Sequence, residues 1–235
     1  MKLTVISLAI AVVLGMLLGA VMGFSPKDQV KCVNVYYDDS NHLESIRGRH
    51  LVGELKKLLQ SYPQFAVQVS AVNEYQSGDI EQCVASIYLG SAYENQLPAA
   101  FINDFIEAKK NVAWLGYNIW QLGASLEEIF GFRYVGNVYV RPYAQVELVQ
   151  SLAGKSSVLA EAKHPASREV LPYILQSQNH YYVADVPLDY GPDSTRFRAF
   201  TDVLGDILRT QHNREKRLGK RHVRLVWEDL MKVEL

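Results

Sequence analysis

Cysteine is scarce: two in 235 residues cannot build the disulfide framework of a small secreted domain. Charge of one sign is scarce too. With 24 Lys and Arg against 25 Asp and Glu, the chain lacks the basic excess that a nucleic-acid-binding domain normally carries. Histidine is sparse and scattered. The six, His42, His50, His164, His180, His212 and His222, include no pair three or four residues apart, so no two imidazoles share a helix face and no metal site is assembled. A glycine-rich phosphate loop, internal repeats and low-complexity tracts are also missing. What is there, 49% hydrophobic and 21% charged residues, suits an ordinary globular chain with a packed core. No cofactor, no metal and no nucleic-acid partner is expected.

One long apolar run stands out. Residues 3–24 hold no charge over 22 positions, with Lys2 before them and Ser25, Pro26, Lys27 and Asp28 after. The run exceeds the roughly 7 to 15 residues of a signal-peptide core and just reaches the roughly 20 needed to span a bilayer. Residues 1–24 therefore read as a signal peptide or a membrane anchor. Gly19, Ala20 and Gly23 offer cleavage sites without a clean A-x-A pattern, so both fates stay open. The protein is expected to be exported to the periplasm or the exterior, and a retained leader would anchor it to the inner membrane. Its exported part would face an oxidising compartment.

Beyond the leader, strands alternate with helices. Residues 33–37 (VNVYY), 65–69, 85–89 (ASIYL) and 111–115 (NVAWL) read as strands. Leu51, Leu55, Leu58 and Leu59 recur at helical spacing up to Pro63. Pro98 opens a second helix carrying Phe101, Phe105 and Ala108, and a third is expected from about Trp120 to Phe130. This order predicts an α/β fold with a parallel, flavodoxin- or amidotransferase-like sheet and helices on both faces over residues 30–133. From Tyr134 the rhythm changes. Strands over 134–140, 144–149 and 180–186 and a closing helix over 194–209 make residues 134–209 a β-rich extension. Residues 210–235 read as a basic linker, with a final strand over 223–227.

Open α/β sheets bind ligands outside the carboxyl ends of their strands, where strand order reverses. For an order 2-1-3-4 the crevice lies between strands one and three. Asp38, Asp39, Ser91, Tyr93, Glu94, Tyr117, Asn118 and Trp120 would line it. Carboxylates, an amide and aromatic rings suit a sugar, whose apolar face stacks on rings while its hydroxyls find acceptors. Packing at the lip of the sheet is the competing reading of the same aromatics. The order also sets Cys32 and Cys83 at the same edge of neighbouring strands, predicting a disulfide, with two buried thiols as the alternative. Asp38-Asp39 invites comparison with metal-dependent carbohydrate deacetylation, but the paired histidines are missing. The turn after strand four, Gly116-Tyr117-Asn118-Ile119-Trp120, has Asn where a nucleophile elbow carries its nucleophile.

Gly90-Ser91-Ala92-Tyr93-Glu94 with Leu97-Pro98, Trp114 to Trp120 (WLGYNIW), Tyr181 to Pro187 (YYVADVP) and Phe200 to Leu208 (FTDVLGDIL) resemble the N-terminal region of a family of bacterial exported proteins grouped with polysaccharide deacetylases. The first half also resembles a class I glutamine-amidotransferase-like domain lacking its nucleophile. The resemblance implies that Val223 to Leu230 (VRLVWEDL) opens a deacetylase-like barrel, in which only Asp229 could match a catalytic carboxylate, and the chain stops at Leu235. Three functions are carried forward. The first is a non-catalytic module binding a polysaccharide or another cell-envelope component. The others are the accessory part of a metal-dependent deacetylase, and a membrane-tethered scaffold in which Asp185, Tyr190 and Arg196 join the two halves.

Overall fold

The computed structural model describes residues 31–40, 42–141, 144–163, 170–209 and 223–226. Residues 1–24, expected to be a signal peptide or anchor, most of the expected basic linker and Asp229 lie outside the described residues. Among the described residues ten strands and four α-helices follow in the order β1 (Lys31–Tyr37), α1 (His42–Leu59), β2 (Phe65–Ala71), β3 (Ala85–Gly90), α2 (Ala99–Glu107), β4 (Asn111–Gly116), α3 (Ala124–Glu128), β5 (Phe132–Arg141), β6 (Ala144–Ser151), β7 (Ser157–Lys163), β8 (Val170–Ser177), β9 (His180–Val183), α4 (Thr195–Ile207) and β10 (Val223–Val226). Among the described residues no helix is long and apolar enough to cross a membrane.

Eight strands form one sheet in the order β10-β7-β8-β9-β4-β3-β1-β2, and β5 pairs with β6 as a separate antiparallel hairpin. The five strands β2, β1, β3, β4 and β9 run parallel, while β8 is antiparallel to both β9 and β7. This is the α/β fold expected, with its order reversing between β1 and β3. Parallel strands with both faces covered are apolar throughout, and every residue of β3 and β4 is buried.

Register explains the core. Tyr36, Tyr88, Trp114 and Tyr182 stand side by side on successive strands, so period-two alternation sends all four to one face. The apolar side of α2 packs there. Phe101 lies 5.6 Å from Tyr36 and 5.4 Å from Tyr88, and Phe105 lies 5.2 Å from Trp114, in edge-on or tilted contacts. On the opposite face α1 contributes the buried Leu51 and Leu55, and α4 contributes Phe200, Leu204 and Ile207. Ser194 caps α4 by accepting the Phe197 N–H at 3.1 Å, the half-turn hydrogen bond that starts such a helix.

Two expectations from the sequence are corrected. The third helix does not run from Trp120 to Phe130: a 3-10 turn over Ile119–Leu122 ends at Gly123, whose φ of 56° breaks the path, and only Ala124–Glu128 is α-helical. Two strands beyond the three expected, β7 and β8, lie in the segment after residue 134. Together with β9 they are hydrogen-bonded into the main sheet.

Two covalent or ionic ties brace this sheet. Cys32 and Cys83 are joined by a disulfide with their Cα atoms 4.8 Å apart. Asp185, just after β9, accepts hydrogen bonds from Arg196 of α4 and from the Tyr173 hydroxyl, and Arg196 also donates to the Tyr190 hydroxyl at 2.7 Å. The Asp185–Arg196 pair is buried. Removing one member of such a pair strands the other charge away from water.

Reduction of the Cys32–Cys83 bond, which closes a loop across a separation of 51 residues, is expected to cost about 3 to 4 kcal/mol, read as a lower denaturant midpoint with reductant than without. Asp185→Ala is expected to cost about 3 to 5 kcal/mol in the same assay. A loss no larger than that of an exposed ion pair would show that Arg196 finds another way to be solvated.

Candidate functional site

The carboxyl ends of β1, β3 and β4 meet where backbone comes close to backbone. A Cβ on Gly90 would sit 2.4 Å from the Tyr117 carbonyl oxygen, and one on Gly116 would sit 2.4 Å from that of Gly90. Gly116 also has a φ of +84°, which side chains other than glycine rarely adopt. Two glycines thus bring the loops after β3 and β4 into contact, closed by the Tyr117 N–H donating to the Gly90 oxygen at 2.9 Å.

Beneath these loops Asp38 is wholly buried. Its carboxylate accepts from the Tyr88 hydroxyl at 2.7 Å, the Asn95 amide at 2.6 Å and the Ala92 N–H at 2.8 Å. Burial pushes its pKa up to about 6, against the pull of these donors toward the ionised form. Asp38 therefore fastens the loop after β3 and does not face a ligand directly. Gln121 completes the fastening, donating to the Asn95 carbonyl at 2.6 Å and accepting the Leu97 N–H at 3.0 Å.

Asn118 is buried as well and stands at φ 78°, in the left-handed region that Asn tolerates better than most residues. Its side-chain amide donates to the Ala92 carbonyl at 2.8 Å and to the Tyr88 hydroxyl at 3.3 Å. The N–H groups of Asn118 and Ile119 both donate to the carboxylate of Glu147, at 2.7 and 3.0 Å. Glu147 reaches this turn from β6, and the Tyr182 hydroxyl holds its backbone oxygen at 3.0 Å. Burial drives the Glu147 pKa up to about 7, the two N–H donors opposing it.

The remaining predicted residues sit higher. Tyr93 and Trp120 are 42% and 36% exposed, large values for aromatic rings in a folded domain. Tyr117 meets Tyr93 edge-on at 5.8 Å, and Glu94 is exposed beside them at a φ of 62°. Ser91 is buried and Asp39 half-buried. The structure thus splits the eight predicted residues into a buried frame, Asp38 and Asn118, and a lip of Tyr93, Glu94, Tyr117 and Trp120, with Ser91 and Asp39 between. Among the described residues no three His, Cys, Asp or Glu side chains gather as metal ligands would.

Sequence reasoning missed Glu147, Tyr88, Asn95 and Arg47. Arg47 of α1 donates to the Ser91 carbonyl at 3.1 Å and pairs with Asp189 at 2.6 Å, tying helix, loop and the segment after β9 together. Tyr88 reads as core within a buried strand, and Glu147 as the outward residue of an alternating one. Neither carried a local signal. A groove of about 290 Å³ between α1 and residues 188–197, lined by His50, Lys57, Tyr190 and Phe197 among others, includes none of the predicted residues.

No family model matches the chain, and no curated protein matches it. Among solved structures it is similar to the exo-β-1,4-mannosidase Op5Man5 from Opitutaceae bacterium strain TAV5 (13% identity, TM-score 0.48), over 77% of this chain and 36% of the mannosidase. It is also similar to ThuA-like proteins from Bacteroides uniformis ATCC 8492 (12% identity, TM-score 0.45, over 69% of this chain and 84% of that one) and Parabacteroides merdae ATCC 43184 (12% identity, TM-score 0.29, over 56% and 51%). The chain spans about a third of the mannosidase's length. Likenesses this remote carry no argument about activity, and the fold class rests on the strand order itself.

Asp38 and Glu147 both have folded-state pKa values above those of an unfolded chain. Each adds stability that is complete below the ordinary carboxylate range and fades as pH rises through about 6 for Asp38 and about 7 for Glu147. Glu147→Gln is therefore expected to gain on the wild type by roughly 2 to 3 kcal/mol between mildly acidic and alkaline pH. Parallel pH profiles of the two unfolding midpoints would refute the assignment.

Proposed function

We propose that this chain is an exported, non-catalytic module that binds a carbohydrate or another cell-envelope component at the carboxyl edge of its sheet, as part of a polysaccharide-deacetylase-like protein. One observation carries the reading. Two aromatic rings, Tyr93 and Trp120, are left exposed in the loops that follow β3 and β4, at the carboxyl edge of an α/β sheet where such folds bind ligands. Exposed rings with carboxylates at the same edge, the exposed Glu94 and half-buried Asp39, are what a pyranose needs, since C–H groups stack on a ring while hydroxyls donate.

Asn118, at the position of an elbow nucleophile, is spent on structure: its amide holds the loop after β3 and its backbone N–H is held by Glu147. That supports recognition over acyl chemistry at this turn. Export is supported by the apolar leader and by the Cys32–Cys83 bond, which suits an oxidising compartment.

The test is a binding screen of the purified protein against envelope polysaccharides, with divalent metal added and omitted. Metal-independent binding is expected, weakened about tenfold or more in Trp120→Ala. Binding that survives unchanged in Trp120→Ala and Tyr93→Ala, or no binding to any polysaccharide, overturns the reading.

A further inference from the structure

β2 ends the parallel side of the sheet. It pairs with β1 on one side, and among the described residues no strand pairs with the other. An edge strand offers a row of unpaired N–H and C=O groups to any chain that lies alongside it, and natural edges are protected by shortness, charged side chains, proline or a bulge. β2 has none of these. Its seven residues, FAVQVSA, carry no charge and no proline, and their register with β1 runs without a shift from Phe65 to Ala71. A typical strand has only about five or six residues.

The strand also matches itself. Phe65, Val67 and Val69 are half-buried against the core, with Val67 and Val69 in register with the buried Val33 and Val35 of β1. Ala66 and Gln68, which alternate with them, are exposed. A second β2 laid antiparallel about a two-fold axis at Gln68 sets Val67 opposite Val69 of the copy, Phe65 opposite Ala71 and Ala66 opposite Ser70. Residues directly opposite share a face, so the apolar row continues across the junction. Gln68 meets Gln68, whose amides both donate and accept.

Charge favours a copy of the same strand as the occupant. In a two-fold contact the residue on the axis meets itself, so a charge there repels its own counterpart, and β2 carries no charge to do so. The ends of the strand agree with the same centre. Pro63, which has no N–H to donate, lies just before Phe65, and a 3-10 turn over Val72–Glu74 leads the chain away directly after Ala71. Pairing is thereby confined to residues 65–71, whose middle is Gln68.

We propose that β2 is a dimer interface of this protein, pairing antiparallel with β2 of a second copy about Gln68 so that one sheet runs through both. Antiparallel pairing turns the carboxyl edges of the two sheets to opposite ends of the dimer, so the two lips of Tyr93 and Trp120 do not face one surface together. The proposal stands apart from the carbohydrate reading, since it uses the opposite feature of the sheet, its lateral edge.

The test is the mass of the full chain by sedimentation equilibrium over a concentration series. The wild type is expected to dimerise. Gln68→Lys and Gln68→Glu, each setting like charges face to face at an exposed position, are each expected to raise the dimer dissociation constant about tenfold or more. An equimolar mixture of the two variants is expected to restore the dimer, which two misfolded variants could not do. A wild type that stays monomeric up to about 1 mM overturns the proposal. A dimer that forms equally well in Gln68→Lys, including one held through residues 3–24, belongs to another surface and overturns it as well.

Discussion

A carboxylate buried under a loop governs the functional edge of this protein. Asp38 follows the first strand inside the fold, where an unpaired charge would be prohibitively costly, and Tyr88 of β3 with the loop after β3 supplies the compensation. The exchange works both ways. Three donors satisfy the carboxylate, and their convergence on it leaves residues 91–95 with one way to lie across the strand ends. Tyr93 and Glu94 are held outward because Ala92 and Asn95 are held inward.

The turn after β4 is built on the same plan from the other side. Its two leading N–H groups have no partner within their own short 3-10 turn, and Glu147 reaches across from the β5–β6 hairpin to take both. Among the described residues the hairpin shares no backbone ladder with the main sheet, and this carboxylate and the Tyr182 hydroxyl are polar ties between the two. The Arg196–Asp185 pair and the Arg47–Asp189 bridge then lock the segment after β9 against α4 and α1, so the sheet's carboxyl edge is braced from three elements.

The parallel half of the fold was legible because local signals agreed. The run NVAWL ending in Gly116, the leucines spaced for α1 and the proline before α2 each pointed to the element that forms, and their alternation implied the sheet. The segment from 157 to 177 was not. Ser157–Lys163 and Val170–Ser177 alternate weakly and became strands because β9 left an unpaired edge that they extend. The helix expected over 120–130 failed at Gly123, where a left-handed residue serves the turn and not the helix. At the site, the residues near strand ends were found by position alone, whereas Tyr88, Asn95, Glu147 and Arg47 were invisible because their partners lie 28 to 142 residues away in the chain.

By itself, then, the sequence determined periodicity, the uncharged apolar run over residues 3–24, the strand-end turns and the residue types available at the sheet's carboxyl edge, since these depend on neighbours within a few positions. Only the tertiary structure decided what each of those residues does. Asp38 and Asn118 became frame, Tyr93 and Trp120 became surface, and Asp39 and Ser91 fell between the two. Those roles follow from which donors and acceptors meet across long loops, and hydrogen-bond satisfaction in a buried place is a property of the assembled fold and not of any local stretch.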